Sequence, residues 1–478
     1  MKYQNRDIKR LILPVLILFI LVSWNSDEEV FKRLGKIKPK PALEIETSDL
    51  WIGGEVLDRD LCDYDAYKEY LGNLGAKKIR LQSGWAKTEK EKGIYDFAWL
   101  DHIVNDAISR GVQPWIQLSY GNLIYEGGGG VSLSAGLPHS EEALNAWVNY
   151  TKAIVERYKD RVNEWEIWNE ADHKNNLEFG SDVNTYARLF VKTVKTIKSI
   201  QPDAKIVALS IAGVGNSEFV DGFFQYLQKH GDVNWVDVIT FHGYPRNPDH
   251  GFDAVNKLVA TSTKYNPNIE FWQGETGCPS TFGSTGALRG YHWTEHTQAK
   301  WDLRRALAHI GRGYKFSLFL ISEFVYNDAQ RKGLNSKGIL KIDEEDFSIE
   351  YAKPAYYAYQ NLCSVFGREL KLLNDFGFKA ETDSSLSVFG WKSIEGKPIV
   401  AYWKKNRIPT NEDTFFDINI DIKSVEFNNP VLVDPISGEV KSIPKGRIRK
   451  ENIGFVFEKI PAYDSPLLIT EKELIEIK

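Results

Sequence analysis

Asn163-Glu164-Trp165-Glu166-Ile167-Trp168-Asn169-Glu170 is a short, apolar, β-prone run that ends on a carboxylate. Amphipathic stretches of helical length flank it, Glu141 to Tyr158 before and Tyr186 to Ile200 after. The same unit recurs in both directions. Seven further runs read as strands: Leu50 to Val56, Lys78 to Gln82, Gln113 to Tyr120, Lys205 to Ala212, Val236 to Tyr244, Ile269 to Thr276 and Lys315 to Phe324. Helical stretches between them include Tyr64 to Leu74, Leu100 to Arg110 and Thr294 to Ile310, and Lys353 to Phe366 closes the set. Eight strand-helix alternations predict an α/β fold, a (β/α)8 TIM barrel over residues 49–366, whose site must lie at the C-terminal ends of the strands. Beyond Phe366 the helical period stops and short strands alternate with turn signals such as Asn428-Asn429-Pro430. Residues 367–478 therefore predict a C-terminal antiparallel β-sandwich, read as an accessory domain.

The chain has 478 residues, with Lys plus Arg at 60 and Asp plus Glu at 65, for a net charge of −5. No strongly basic stretch follows the amino terminus, which excludes nucleic acid as a partner. With 42% hydrophobic and 26% charged residues, intrinsic disorder and a polytopic membrane protein are excluded. Aromatic content is high, at 14 Trp, 22 Tyr and 25 Phe, and sugar rings stack well on such faces. Three cysteines, Cys62, Cys278 and Cys363, allow at most one disulfide and match no zinc or redox spacing.

Lys2, Arg6, Lys9 and Arg10 precede an apolar run from Leu11 to Val22, after which Asp27, Glu28 and Glu29 reverse the charge. This is the pattern of an export segment, so residues 1–30 are read as a signal peptide or N-terminal membrane anchor. The positive-inside rule places the rest of the chain outside the cytoplasm: periplasmic, cell-surface or secreted, with membrane contact only through an uncleaved N-terminus. Residues 31–48, rich in Lys and Pro, read as a linker.

The fourth strand run ends at Glu170 and the seventh at Glu275, so both place a carboxylate at the barrel mouth. Two carboxylates across such a mouth are what glycosidic cleavage requires, one protonated to donate to the leaving oxygen and one ionised. Period-two alternation puts Glu164, Glu166, Trp168 and Glu170 on one side, with Glu166 a layer below the substrate and in need of a partner such as Arg80. Trp168 and Asn169 offer Glu170 a mainly neutral setting that favours its protonated form. Arg80 and Tyr244 are expected donors to Glu275 and favour its anion. That assigns acid/base work to Glu170 and nucleophilic attack to Glu275. A separation of ~5–5.5 Å between them predicts retention of configuration and ~6.5–9.5 Å predicts inversion.

The endings Trp168-Asn169-Glu170 and Gly274-Glu275-Thr276-Gly277, with Phe241-His242-Gly243-Tyr244-Pro245, resemble clan A of the retaining glycoside hydrolases over roughly residues 49–366. The barrel-plus-sandwich layout is most similar to family 39, which includes xylosidases, iduronidases and exopolysaccharide-cleaving endoglycosidases. The resemblance implies double displacement on a β-linked poly- or oligosaccharide, with Glu170 as acid/base, Glu275 as nucleophile and Asn169 bonding the sugar 2-hydroxyl. Ala171 stands where the family usually has Pro after the Asn-Glu pair, and Ser322-Glu323-Phe324 where many members carry Trp.

His242 and Tyr244 share parity on the sixth strand and are expected to face the axis as substrate or nucleophile contacts. Trp85, Tyr120, Trp293 and Tyr326 fall in loops after strands, where a sugar platform would sit. Glu55 and Glu323, at the ends of the first and eighth strands, are expected to accept bonds from sugar hydroxyls, and Gly127 to Gly130 reads as a mobile rim segment. No metal and no organic cofactor is expected. Two rival readings carry different chemistry. His292-Trp293-Thr294-Glu295-His296 fits H-x-x-E-H, the pattern of a zinc peptidase, which requires both imidazoles on one helix face. A noncatalytic polysaccharide-binding or assembly factor on the same barrel is the other.

Overall fold

The computed structural model describes residues 31–478 apart from 134, 174–181, 328–330, 374–375, 381–384 and 406. The export segment expected at residues 1–30 lies outside the described residues. Eight parallel strands close a barrel: β1 (Leu50–Gly53), β2 (Lys78–Gln82), β3 (Gln113–Leu118), β4 (Glu164–Ile167), β5 (Lys205–Ile211), β6 (Val238–His242), β7 (Glu270–Thr276) and β8 (Lys315–Leu318). Leu50 pairs with Phe316 to shut the ring. Helices α1 (Tyr64–Leu74), α2 (Ala98–Ser109), α3 (Glu141–Tyr158), α4 (Val183–Ile200), α5 (Ser217–His230), α6 (Phe252–Ser262), α7 (Glu295–Ile310) and α8 (Pro354–Phe366) complete the eight units. Their ends follow local chemistry. The Asp63 and Ser140 side chains accept from the first-turn amides of α1 and α3, and Gly75 takes the left-handed conformation that ends α1.

The barrel interior is filled in layers. Its floor is a cluster of Trp51, Trp115 and Trp272, whose rings meet edge to face at 4.8–5.8 Å. Above the floor the filling turns polar. Arg80, Gln117, Glu166 and Thr240 are fully buried there and bonded to one another. Among the described residues nine tryptophans are fully buried. The aromatic excess therefore goes mainly into the core and not onto sugar-stacking faces.

The C-terminal part is two antiparallel sheets. One runs Glu439–Ser442, Pro430–Val433, Leu467–Glu471, Pro398–Lys404, Leu386–Ser393 and Leu370–Leu372. The other runs Phe378–Ala380, Phe416–Lys423, Gly454–Ala462 and Ile448–Glu451. Val400, Tyr402, Ile418, Ile420, Phe457 and Ile469 pack between them. The stretch expected as a linker is a correction. Arg33–Lys36 is a strand that pairs antiparallel with Glu439–Ser442 and adds a seventh strand to the larger sheet, because that edge offers unpaired backbone groups. No helix among the described residues is long and apolar enough to cross a membrane.

The sandwich docks on α7, which is buried from Thr297 to Ile310. Lys300 crosses to Asp464 at 2.7 Å and Asp413 at 2.8 Å, Arg304 pairs with Asp249, and Trp403 Nε1 donates to Asp249 at 2.9 Å. These partners are what permit charged residues on a buried helix.

Candidate active site

Two local breaks in strand geometry build the mouth of the barrel. Past the end of β4, Trp168 and Glu170 take left-handed φ values of 68° and 49°. Simple alternation therefore ends at Ile167. Trp168, expected on the same side as Glu170, instead packs outward against Trp147 of α3 and against Tyr120, with ring centroids 5.8 Å apart in each case. On β7 the register shifts between Gln273 and Thr276. Before the shift Trp272 points into the floor and Gln273 lies 3.4 Å from His309 of α7; after it Glu275 enters the mouth beside His242.

Arg80 anchors the arrangement from below. Its Nε donates to Glu166 at 2.8 Å, Nη1 to Glu55 at 2.6 Å and to Glu275 at 3.2 Å, and Nη2 to Asn169 and Ser210 at 3.0 Å each. Glu275 also accepts from the Tyr244 hydroxyl at 2.6 Å. Burial works to protonate Glu275, but the charges of His242 and Arg80 and the Tyr244 bond outweigh it and hold its pKa below the usual carboxylate value. Across the mouth, His242 Nδ1 lies 2.7 Å from Glu170 Oε1 and 3.5 Å from Glu275 Oε2. Burial lowers the imidazole pKa and Arg80 opposes its charge, yet the two carboxylates prevail and raise it above the ordinary histidine value. The neutral setting expected for Glu170 is thus replaced by a direct histidine contact. An oxygen of Glu170, one of Glu275 and a ring nitrogen of His242 all lie within 4.8 Å of one another.

Among the described residues these three side chains converge closely enough to hold a cation. Glu275 already accepts from Tyr244 and Arg80, and the Arg80 guanidinium places a fixed positive charge beside it. The arrangement is therefore suited to holding one carboxylate ionised and orienting another against an imidazole. A cleft of about 800 Å³ opens above them, walled also by Tyr326, Phe319, Lys337, Arg246 and Arg289.

Several expected contacts lie elsewhere. Asn169 and Tyr120 are buried beneath the mouth, where Asn169 Nδ2 donates to the Tyr120 hydroxyl at 2.9 Å. Trp85 is no platform: it is fully buried, stacked on Tyr125 at 5.6 Å, with its Nε1 donating to Glu89 at 2.5 Å. Trp293 is likewise packed with Cys278 and Trp301, and its Nε1 donates to the Leu288 carbonyl at 3.1 Å. A loop position says nothing about which way a large ring turns, and burial of an apolar face wins in both cases. Glu323 is 1% exposed and closes on Lys353 at 2.5 Å and Lys341 at 3.2 Å, because the barrel strand ends at Leu318 and the chain beyond it bonds to Leu340 instead of continuing to the mouth. Glu55 also meets Arg80 rather than the cleft; burial, then the charge of Glu275, pushes its pKa up to about 8.

The Gly127 to Gly130 rim, expected as a mobile segment, is close-packed. A side chain on Gly128 would lie 2.1 Å from the Asn122 carbonyl, a contact only glycine permits. The H-x-x-E-H pattern is pulled apart by a helix start. Thr294 caps α7, so His292 lies before the helix, stacked on Phe282 at 4.4 Å, while His296 pairs with Asp413 at 2.9 Å. The zinc peptidase reading through His292, Glu295 and His296 falls with it. The sequence reading missed Ser210, which follows a register shift on β5, and Lys337, which arrives through the long excursion after β8 and carries no periodic signal.

Residues 73–266 match the family model described as Glycosyl hydrolases family 39. The chain is 25% identical to a β-xylosidase of Geobacillus stearothermophilus over 33% of its own length and 32% of that protein's. It is also 25% identical to an aryl-phospho-β-D-glucosidase of Bacillus subtilis over 27% of each. The matched stretch thus spans about a third or less of these curated relatives. Among solved structures, a family 39 glycoside hydrolase of Bacteroides cellulosilyticus superposes with a TM-score of 0.62 at 20% identity, covering 89% of this chain and 81% of that one. A monomeric β-xylosidase of Caulobacter crescentus superposes at 0.56 and 16% identity, covering 92% and 97%. These neighbours share the barrel with its appended sandwich. The resemblance to clan A and family 39, read from the strand ends, holds.

Proposed function

We propose that this chain, similar over residues 73–266 to the family 39 glycoside hydrolases, is a retaining β-glycosidase acting on a poly- or oligosaccharide. The observation that carries the reading is the close approach of the Glu170 and Glu275 oxygens, within 4.8 Å, nearer the ~5–5.5 Å of retaining enzymes than the ~6.5–9.5 Å that leaves room for an attacking water. In the first step a Glu275 oxygen attacks the anomeric carbon, the glycosidic bond breaks, its electron pair passes to the leaving oxygen, and Glu170 supplies the proton. In the second step water attacks the same carbon, Glu170 takes the water's proton, and the ester electrons return to Glu275.

The surroundings divide these tasks. Tyr244 and Arg80 keep Glu275 anionic and aimed, and the contact with His242 Nδ1 at 2.7 Å fixes the orientation of Glu170. Asn169, locked by Arg80 and Tyr120 beneath the mouth, braces the end of the strand that carries Glu170. The charged export pattern at Lys2 to Glu29 supports placement outside the cytoplasm, which fractionation of cells with a C-terminal tag tests.

Leaving-group dependence tests the acid role. Glu170→Ala is expected to lose about 10² to 10⁴ in kcat/KM on glycosides with poor leaving groups and far less on activated aryl glycosides, since only the former need a proton. Equal losses on both would contradict it.

A further inference from the structure

We propose that the sugar taken up between Glu170 and Glu275 carries an anionic substituent, a carboxylate or a sulfate ester, received by Lys337 with Arg246 and Arg289 at the rim. The proposal rests on the glycosidase reading of the same cleft and deepens it by naming the substrate class.

Among the described residues three lysines are buried, and two are neutralised: Lys300 by Asp464 and Asp413, and Lys353 by Glu323. Lys337 is the exception. It is 1% exposed and lines the cleft, yet its Nζ donates to the Thr285 carbonyl at 3.2 Å and lies 5.6 Å from the Tyr244 ring centroid, with no carboxylate at ion-pair distance among the described residues. A buried ammonium without a counter-ion is costly, and its placement one aromatic ring from the nucleophile makes sense if an anion arrives with the substrate. Burial draws its pKa down to about 8, and an incoming negative charge would reverse that shift.

The rim repeats the sign. Arg246 and Arg289 are exposed on the cleft wall, Arg246 resting 4.1 Å over the Tyr291 ring, and neither has an ion-pair partner among the described residues. The acids in the wall are Glu170 and Glu275, both committed to the chemistry. This concentration of cations occurs in a chain whose net charge is −5, so it is not a by-product of a basic surface.

The test is binding of the full chain carrying Glu170→Gln to immobilised glycans grouped as uronate-bearing, sulfated and neutral. Binding should concentrate on one of the anionic groups, and which one distinguishes a carboxylate from a sulfate. Lys337→Met should weaken that binding about 10- to 100-fold more than it weakens binding to neutral glycans, as expected for a charge-assisted hydrogen bond. Arg246→Gln, exposed and without a packing role in the core, should reduce it in the same direction, whereas Lys450→Gln on the sandwich should not. Strongest binding to neutral glycans, equal loss on neutral and anionic ones, or no binding to either anionic group overturns the proposal. Hydrolysis by the wild-type chain separates the two readings: an anionic glycan bound but never cut leaves this proposal standing and defeats the glycosidase, while a neutral glycan cut through Glu170 does the reverse.

Discussion

Glu275 is ionised because of its neighbours rather than its exposure, and each neighbour can be removed. His242 contributes the largest of the influences that favour its anion. Glu275 must be deprotonated to attack, so the acid limb of the kcat/KM profile reports its titration. For His242→Gln the sign follows: with that positive charge gone, the Glu275 pKa rises and the acid limb moves to higher pH. A limb that stays in place would show that His242 acts only by orienting Glu170. At this scale the strand ends were legible where alternation applies: the structure brings His242 and Tyr244 to the two glutamates as their parity suggested, and Arg80 to them as the expected cation. Trp85, Trp293, Glu55 and Glu323 were not, since a position after a strand fixes height in the barrel but not the direction of a side chain.

At the scale of elements, helices α1 and α3 were legible to the residue because caps and apolar periodicity agree there. The strands β4, β5 and β7 were legible only up to the point where left-handed residues or register shifts end the period of two. Helix α7 illustrates a different limit. Its Lys300, Arg304 and Arg305 are buried: the sandwich supplies Asp464 to Lys300 and backbone carbonyls to Arg304, while the loop after β6 supplies Asp249 to Arg304 and the carbonyls of Pro248 and His250 to Arg305. Lys300→Ala should therefore cost about 3–5 kcal/mol in unfolding free energy, because it strands buried Asp464 without its cation. Denaturant unfolding measures this, and a change within about 0.5 kcal/mol, the range of ordinary surface substitutions, would mean that the pair is solvated.

At the scale of the whole molecule, the barrel separates function from stability along its axis, with the carboxylate pair at the top and the tryptophan floor below. The floor is held by an ionic belt in which Glu270 meets Lys205 at 2.7 Å and Lys315 at 3.0 Å and accepts from Trp272. Burial raises the Glu270 pKa, but these partners prevail and lower it from 4.5 to about 2. A carboxyl depressed in the folded state contributes stability that is complete above its unfolded pKa and lost as pH falls through the folded value. Glu270→Gln should thus destabilise the protein at pH 7, by about 1 kcal/mol or less given the exposure of the group, and the difference should fade between about pH 4.5 and 2. A thermal-melt difference that persists unchanged at pH 2 would refute that origin. The docking of the sandwich and the strand Arg33–Lys36 on its edge were not legible, since both depend on pairings across more than 100 residues.

A covalent sugar on one named glutamate is the most direct measure of the mechanism. Treating the full chain with a panel of 2-deoxy-2-fluoro β-glycosides, neutral and uronate, and mapping the labelled peptide by mass should give one adduct per chain at Glu275, in the segment Phe271 to Gly277. Label on Glu170 or Glu55, or turnover of the panel with no adduct at all, would contradict the account.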